Sequence, residues 1–308
     1  MSSKQKEQKM SCAVVTGASG FIGQALVQFL SKKNVNVLGI TRKQKVELFQ
    51  SVNIRYINCS MKDYYQLPDL VNEYEWKPDV FYHLAWDGTN GKARADYRKQ
   101  CQNAIFACDA AIVAKKMGCR RFVMTGTITE RVADDLLKYG YLSENLMYGL
   151  AKLYTHKLLD IVARQQGMDY IWAQLSNIYG GRNSSGNLIS YTMKELRLGH
   201  VPTYGPCEQP YNFTYIDDVL SALYLLGKVE KHSQNGYFIG NGECRILKEY
   251  LQSVAKTVGG KVGIGIRVDD GVKYQSSWFE NKLLQDELGF RPKYKFEDGL
   301  KEMLASEK

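Results

Sequence analysis

The decapeptide VVTGASGFIG, residues 14–23, constrains this chain more than any other stretch. An apolar run at 12–17 leads into it, and residues 20–33 carry apolar side chains at helical spacing behind it. Strand, glycine turn and helix in that order make the spacing of Gly17, Gly20 and Gly23 meaningful, where three glycines alone are weak evidence. Gly17 permits the tight turn, Gly20 has no side chain to hold a pyrophosphate away, and Gly23 lets the helix settle close to the strand. The first helical turn, with Ser19, Phe21 and Ile22, then offers free N–H groups to phosphate. The competing reading is a strand–turn–helix that binds nothing.

The same alternation continues to residue 180. Strands are expected at 35–42, 54–59, 78–86, 120–127 and 169–180, with helices at 65–74, 96–118 and 145–167. Alternating elements of this kind pair their strands in parallel and carry helices on both faces, which is an α/β, doubly wound sheet. Ligands of such sheets bind beyond the carboxyl ends of the strands. After Gly180 the pattern becomes irregular. A helix is expected at 188–199, a strand at 237–242, and short helices in 246–260 and 278–290. The expected organisation is a flexible tail at 1–10, a dinucleotide-binding domain at 11–180 to which part of 212–242 returns, and a smaller C-terminal lobe at 181–308 that takes the substrate.

Composition removes several function classes. No apolar run approaches the roughly 20 residues needed to span a bilayer, and the polar N-terminus lacks an apolar signal core, so a cytoplasmic enzyme is expected. Seven cysteines without a C-x-x-C pair fit free thiols and no metal site. The net charge of +9 comes from scattered Lys and Arg, so neither nucleic acid nor a membrane is expected as a partner.

The second strand ends in GITRKQK, with no carboxylate before Glu47. An acidic residue there would bind the ribose hydroxyls of NAD. Thr41 and Arg42, followed by Lys43, offer positive charge to a 2′-phosphate instead, so NADP(H) is expected rather than NAD(H). The bland alternative is a solvated basic loop.

Tyr148 and Lys152 lie four residues apart and therefore on one face of a helix. An ammonium beside a phenol lowers its pKa, and the pair can then exchange a proton with a carbinol or carbonyl oxygen. Most such pairs are accidents of packing. Here the upstream glycine turn, and Thr125 and Thr127 at the end of the fifth strand, put them in a chemical context.

Taken together, TGASGFIG, HLAW, Thr127, YGLAK, NIYGG and YNFTYIDDV resemble the extended short-chain dehydrogenases/reductases, and more narrowly the NAD-dependent epimerase/dehydratase family that acts on nucleotide-sugars. The resemblance covers nearly the whole chain and implies a Rossmann domain. It implies that Tyr148 is the acid/base, that Lys152 lowers its pKa and holds the nicotinamide ribose, and that Thr127 steadies the reacting oxygen. It implies cofactor contacts from Leu84, Ala85 and Ser60, the last standing where the family often has aspartate. It implies substrate contacts from Trp86, Asn177, Tyr211 and Arg182. His83 is read as packing. Family dehydratases carry Asp-Glu directly after the threonine; Ile128 and Thr129 stand there. The family often has arginine where Tyr211 stands, and Arg182, Arg245 and Arg267 remain as alternatives for the diphosphate.

The expected function is NADP(H)-dependent reduction of a keto group on a nucleotide-sugar, as in an NDP-4-keto-6-deoxyhexose 4-reductase. The alternatives are an NDP-sugar epimerase with tightly bound NAD, a reductase of a non-nucleotide ketone or aldehyde, and a non-catalytic dinucleotide-binding redox sensor. A homodimer through the helices at 96–118 and 145–167 is expected from the family.

Overall fold

The computed structural model of the chain describes residues 8–42, 48–138, 140, 143–181, 187–269 and 274–306. The elements begin with β1 (Cys12–Thr16), α1 (Phe21–Lys32), β2 (Asn36–Thr41), β3 (Ile54–Asn58), a 3-10 turn running into α2 (Leu67–Asn72), and β4 (Val80–His83). They continue with α3 (Tyr97–Lys116), β5 (Arg121–Thr127), α4 (Thr129–Lys138), α5 (Met147–Gln166) and β6 (Asp169–Leu175). Then follow β7 (Asn177–Tyr179), α6 (Leu188–Arg197), β8 (Pro210–Tyr211), β9 (Phe213–Tyr215), α7 (Ile216–Lys228), β10 (Gly236–Ile239), β11 (Arg245–Ile246), α8 (Leu247–Val258), α9 (Lys282–Leu288) and α10 (Phe296–Ser306).

Seven strands form one sheet in the order β10-β6-β5-β4-β1-β2-β3. β1 pairs in parallel with β2 and β4, β2 with β3, and β4 with β5. Register follows burial. Val14, Leu38, Ile40, Phe81, Phe122, Met124, Tyr170 and Trp172 lie in one core cluster with Ala107, Ala110, Ala111 and Ala114 of α3 and Leu159 and Ala163 of α5. Four alanines on α3 bring that helix close to the sheet, as small side chains allow. Alternate residues such as Val15, Val37, Tyr82 and Val123 are equally buried, as strands covered on both faces must be.

Two compact units emerge, Met1–Gln174 with Leu220–Tyr237, and Leu175–Val219 with Phe238–Lys308. The second holds two small sheets, β7 parallel to β9 and β8 antiparallel to β11. Its core is aromatic: Tyr179, Phe213, Tyr250 and Phe296 pack with ring centroids 4.7–6.2 Å apart.

Several expectations need correction. The strand expected over 169–180 stops at Leu175, and Asn177–Tyr179 pairs with Phe213–Tyr215 in a separate sheet. The helix expected at 65–74 is a 3-10 turn over Met61–Gln66 followed by α2. Helices α4, α7 and α10 were not anticipated. Of the ten-residue tail, residues 1–7 lie outside the described residues. Gln8 donates its backbone N–H to Lys228, and Met10 is only 5% exposed, so packing begins before residue 11.

Candidate active site

Parallel pairing sends β1 to β5 in one direction, so their carboxyl ends share one edge of the sheet. Gly17, Arg42, Ser60, Leu84–Asp87 and Thr127 all stand at or just after those ends.

The glycine turn is shaped by contact. Gly17 has φ +66°, and a Cβ there would lie 2.9 Å from the Ala85 nitrogen and 3.0 Å from the Leu84 carbonyl carbon. A Cβ on Gly23 would overlap the Gly17 carbonyl oxygen. Gly20 precedes α1 with no side-chain cap, and no acidic residue occupies the first turn formed by Phe21, Ile22 and Gly23. Ser19 is partly buried, its carbonyl accepting from the Gln24 amide. The result is a close-packed, uncapped helix N-terminus, which suits a dinucleotide pyrophosphate.

Thr16 ties this turn to the next strand. Its Oγ1 accepts the backbone N–H groups of Leu84 and Ala85 at 3.2 and 3.3 Å, and lies 2.9 Å from His83 Nδ1. His83 is fully buried and stacks on Phe122, and burial, then the charge of Lys152, drives its pKa down to about 3. It is a neutral core residue.

Thr41 is buried at the end of β2, while Arg42 is exposed and its guanidinium lies 2.6 Å from the Asp87 carboxylate. Asp87 is itself fixed, because Asn103 bonds both its backbone N–H and its carbonyl. Lys43 and Glu47 lie outside the described residues. Ser60 caps the 3-10 turn after β3 through its position alone, without a side-chain bond.

Thr127, Tyr148 and Lys152 come together. The phenol of Tyr148 stands near enough to the Thr127 side chain for that side chain to favour its ionised form, and Thr127 Oγ1 lies 3.1 Å from Thr129 Oγ1. Lys152 is 3% exposed and donates from Nζ to the Thr125 carbonyl at 2.8 Å. That ammonium sits 3.8 Å from the centre of the Trp86 ring, whose edge meets the ring of Tyr148 at 6.2 Å. Arg94 lies over the Tyr148 ring at 4.2 Å.

The electrostatics differ from the expectation that Lys152 lowers the phenol. Burial dominates: it pushes Tyr148 up to about 12, with Arg94 and the Thr127 side chain pulling down and Glu130 pushing up. Burial also brings Lys152 down to about 7, against the opposing pull of Glu130. The cation that acts on the phenol is Arg94.

Sequence reasoning missed four residues here. Gln100 and Asn103 are buried amides on α3; Gln100 accepts from Trp86 Nε1 at 2.8 Å and donates to the carbonyls of Gly88 and Ala93. Their signal was two amides three apart on an otherwise small, apolar face. Arg94 carried no local signal. Glu130, 1% exposed on α4, accepts from the Thr127 backbone N–H at 2.6 Å.

In the second unit, Tyr211 donates its phenol to Asn177 Oδ1 at 3.0 Å, so those two expected residues pair with each other. Arg182 lies outside the described residues. Arg245 is committed to Glu243 and Glu297, at 2.5 and 2.6 Å. Arg267 is exposed, its Nε donating to Thr203 Oγ1 at 3.0 Å. Among the described residues there is no metal-binding cluster and no helix long and apolar enough to cross a membrane.

The chain is similar to known proteins over most of its length. The sequence profile of the NAD dependent epimerase/dehydratase family matches residues 13–240. The dTDP-4-dehydro-6-deoxyglucose reductase of Escherichia coli is 23% identical, with 95% of this chain and 96% of that protein covered. CDP-abequose synthase of Salmonella muenchen is also 23% identical, over 95% and 96%. In three dimensions the chain resembles UDP-glucose 4-epimerase from Thermotoga maritima, with a TM-score of 0.78, 21% identity and coverage of 96% and 97%. The glycine cradle, the site built on α5 and a profile match over most of the chain agree: the chain belongs to the NAD-dependent epimerase/dehydratase family and is an NAD(P)-dependent enzyme of the extended short-chain dehydrogenase/reductase type.

Proposed function

We propose that the chain reduces a keto group on a nucleotide-activated sugar with NADPH, as an NDP-4-keto-6-deoxyhexose 4-reductase. The observation that carries this reading is the placement of Tyr148, with Arg94 over its ring at 4.2 Å, Trp86 edge-on to it, and Lys152 four residues on along the same helix. Burial holds its phenol far above neutral pH, so it keeps its proton and serves as a donor. When bound, the reduced dinucleotide supplies the hydride. Thr127 orients the carbonyl oxygen, and Tyr148 passes its proton to that oxygen as the C=O bond becomes the C–O bond of an alcohol, which leaves the tyrosine as phenolate. Arg94, lying over the phenol ring, stabilises the negative charge left behind.

Dehydration is disfavoured by the residues after Thr127. Ile128 is buried, and Glu130 spends Oε1 on the Thr127 N–H and Oε2 on Trp172 and Gln174. No carboxylate there is free to remove a sugar proton.

NADPH is favoured over NADH because β2 ends without an acidic residue, at Thr41 and Arg42. The Arg42–Asp87 pair is solvent-exposed and worth at most about 1 kcal/mol. A phosphate can therefore take the guanidinium from Asp87.

For the sugar diphosphate, Arg267 is the better of the two described arginines. Arg245 is already neutralised by two carboxylates, whereas Arg267 donates to the neutral Thr203 hydroxyl and faces water. Asn177 and Tyr211 are the proposed polar contacts in the same unit. A dimer is proposed through α3 and α5, whose outer faces expose Tyr97, Ile105, Tyr154 and Ile161 at 54–59%.

A second reading, an epimerase with resident NAD, draws support from the neighbouring structure of UDP-glucuronic acid 4-epimerase from Bacillus cereus in complex with UDP-glucuronic acid and NAD, with a TM-score of 0.75 and 21% identity. One experiment separates them. The purified protein is mixed with NADPH and dTDP-4-dehydro-6-deoxyglucose, and nicotinamide oxidation is followed. Oxidation of NADPH with a deoxysugar product supports the reductase. No oxidation, together with stoichiometric NAD in the purified protein and interconversion of UDP-hexoses, overturns it.

A further inference from the structure

Arg42 and Asp87 reach each other from different strands. Arg42 directly follows β2, and Asp87 lies just beyond β4. Nη1 of Arg42 meets both carboxylate oxygens of Asp87, at 2.6 and 2.8 Å. β2 carries no acidic residue of its own. The fold nevertheless brings a carboxylate to its end.

The backbone beneath that carboxylate is fixed on every side. Leu84 and Ala85 cross the glycine turn so closely that a Cβ on Gly17 would lie 2.9 Å from the Ala85 nitrogen. Asn103, 2% exposed on α3, accepts the Asp87 N–H at 2.9 Å and donates to the Asp87 carbonyl at 2.8 Å. Gln100, fully buried one turn earlier, accepts from the Trp86 indole at 2.8 Å and donates to the Gly88 carbonyl at 2.9 Å. Residues 86, 87 and 88 are thus each tied to α3. The Asp87 side chain remains 32% exposed, within reach of a ligand. A carboxylate on so fixed a backbone is preorganised to bind.

The adenosine ribose carries a 2′-hydroxyl in NAD(H) and a 2′-phosphate in NADP(H). A carboxylate accepts the hydroxyl, and a guanidinium takes the phosphate. Both substituents sit on one ribose carbon, so the groups that recognise them share one place. Asp87 already stands where an anion bound by Arg42 would stand. A 2′-hydroxyl meets an acceptor there, whereas a 2′-phosphate meets a competitor for the guanidinium.

We propose that Asp87 is a specificity-determining residue of the dinucleotide site: it supplies from beyond β4 the ribose-binding carboxylate that β2 lacks, and it competes with a 2′-phosphate for Arg42. The pair admits both dinucleotides, NADPH through Arg42 and NADH through Asp87, and Asp87 narrows the preference for NADPH that Arg42 creates. The inference rests on the reading that sets Arg42 against the 2′-phosphate, and extends it to the second cofactor.

The test is calorimetry of the wild type and Asp87→Ala with NADPH, NADH and the NADH analogue that lacks the adenosine 2′-hydroxyl. Asp87→Ala should bind NADH about tenfold more weakly, the worth of a hydrogen bond to a charged group. It should bind NADPH about two- to fivefold more tightly, because Arg42 loses its competitor. The wild type should bind the analogue about tenfold more weakly than NADH, and Asp87→Ala should bind the two alike. If Asp87→Ala does not fold, Asp87→Asn keeps the shape without the charge and should move both dinucleotides in the same directions. An unchanged NADH affinity in the variant overturns the proposal. So do equal losses for NADPH and NADH, which a merely structural role would give, and a wild type that binds no NADH or does not distinguish NADH from the analogue. Absence of ketosugar reduction by the wild type sinks the reductase reading, while these sugar-free titrations still decide the role of Asp87.

Discussion

The ammonium of Lys152 lies 3.8 Å from the centre of the Trp86 indole, which roofs it away from water. A cation on a π-face is stabilised, but burial outweighs that here and brings the lysine down to about 7 from an ordinary 10.5. Trp86→Ala admits water and raises the midpoint toward 10.5, as a side-chain NMR titration of Lys152 would read. Stability carries a matching signature. The folded midpoint is depressed, so between about 7 and 10.5 the unfolded chain binds a proton that the fold does not. The contribution from Lys152 is full above 10.5 and is lost as pH falls to about 7. Comparing wild type with Lys152→Met across that window isolates the effect.

Gly23→Ala tests the cradle. Its methyl group would overlap the Gly17 carbonyl oxygen, and overpacking of this kind costs about 1–3 kcal/mol. The expected outcome is a lower thermal midpoint and at least about tenfold weaker binding of both NADPH and NADH by calorimetry, since the turn that meets the pyrophosphate is displaced.

Arg42→Ala tests cofactor choice. Losing a charge-assisted contact to the 2′-phosphate costs about 1.5–3 kcal/mol, or ten- to hundredfold in NADPH affinity. NADH, which lacks that phosphate, changes by less than about twofold. Equal losses for both dinucleotides would remove Arg42 from the specificity argument.

Assembly is tested on α3 and α5. Ile105 and Ile161 are 54% and 57% exposed, and glutamate at both positions puts charge into the proposed interface. Light scattering should report a dimer for the wild type and a monomer for the double variant, with the circular dichroism of the fold unchanged.

The legible parts of the fold were those written in local periodicity. The glycine turn and the strands β1, β2, β3, β4 and β5 stood out as short apolar runs punctuated by glycine, and Tyr148 with Lys152 shares a helix face by spacing alone. Helix α4 also had a local signal, since Val132 with Leu136 and Ala133 with Leu137 stand four apart, but its charged neighbours masked it. What sequence did not show depends on chain segments far apart. Glu130 finds Trp172 and Gln174 more than forty residues on, and Arg94 reaches the Tyr148 ring from a short 3-10 turn over Gly91–Arg94 that carries no motif. The pKa of Tyr148 was misjudged for the same reason. Spacing announces a nearby ammonium, whereas the desolvation that outweighs it arises only in the folded chain, where Trp86 and Arg94 lie against the ring.

Tyr148→Phe tests the proposed chemistry most directly. The variant keeps the ring that Trp86 and Arg94 touch and removes only the proton donor. Single-turnover reduction of the ketosugar by NADPH should slow by about 10²–10⁴-fold, the usual worth of a positioned acid, while the NADPH dissociation constant stays within about twofold. A Tyr148→Phe protein that reduces the ketosugar at the wild-type rate would contradict the assignment of the phenol as the proton donor.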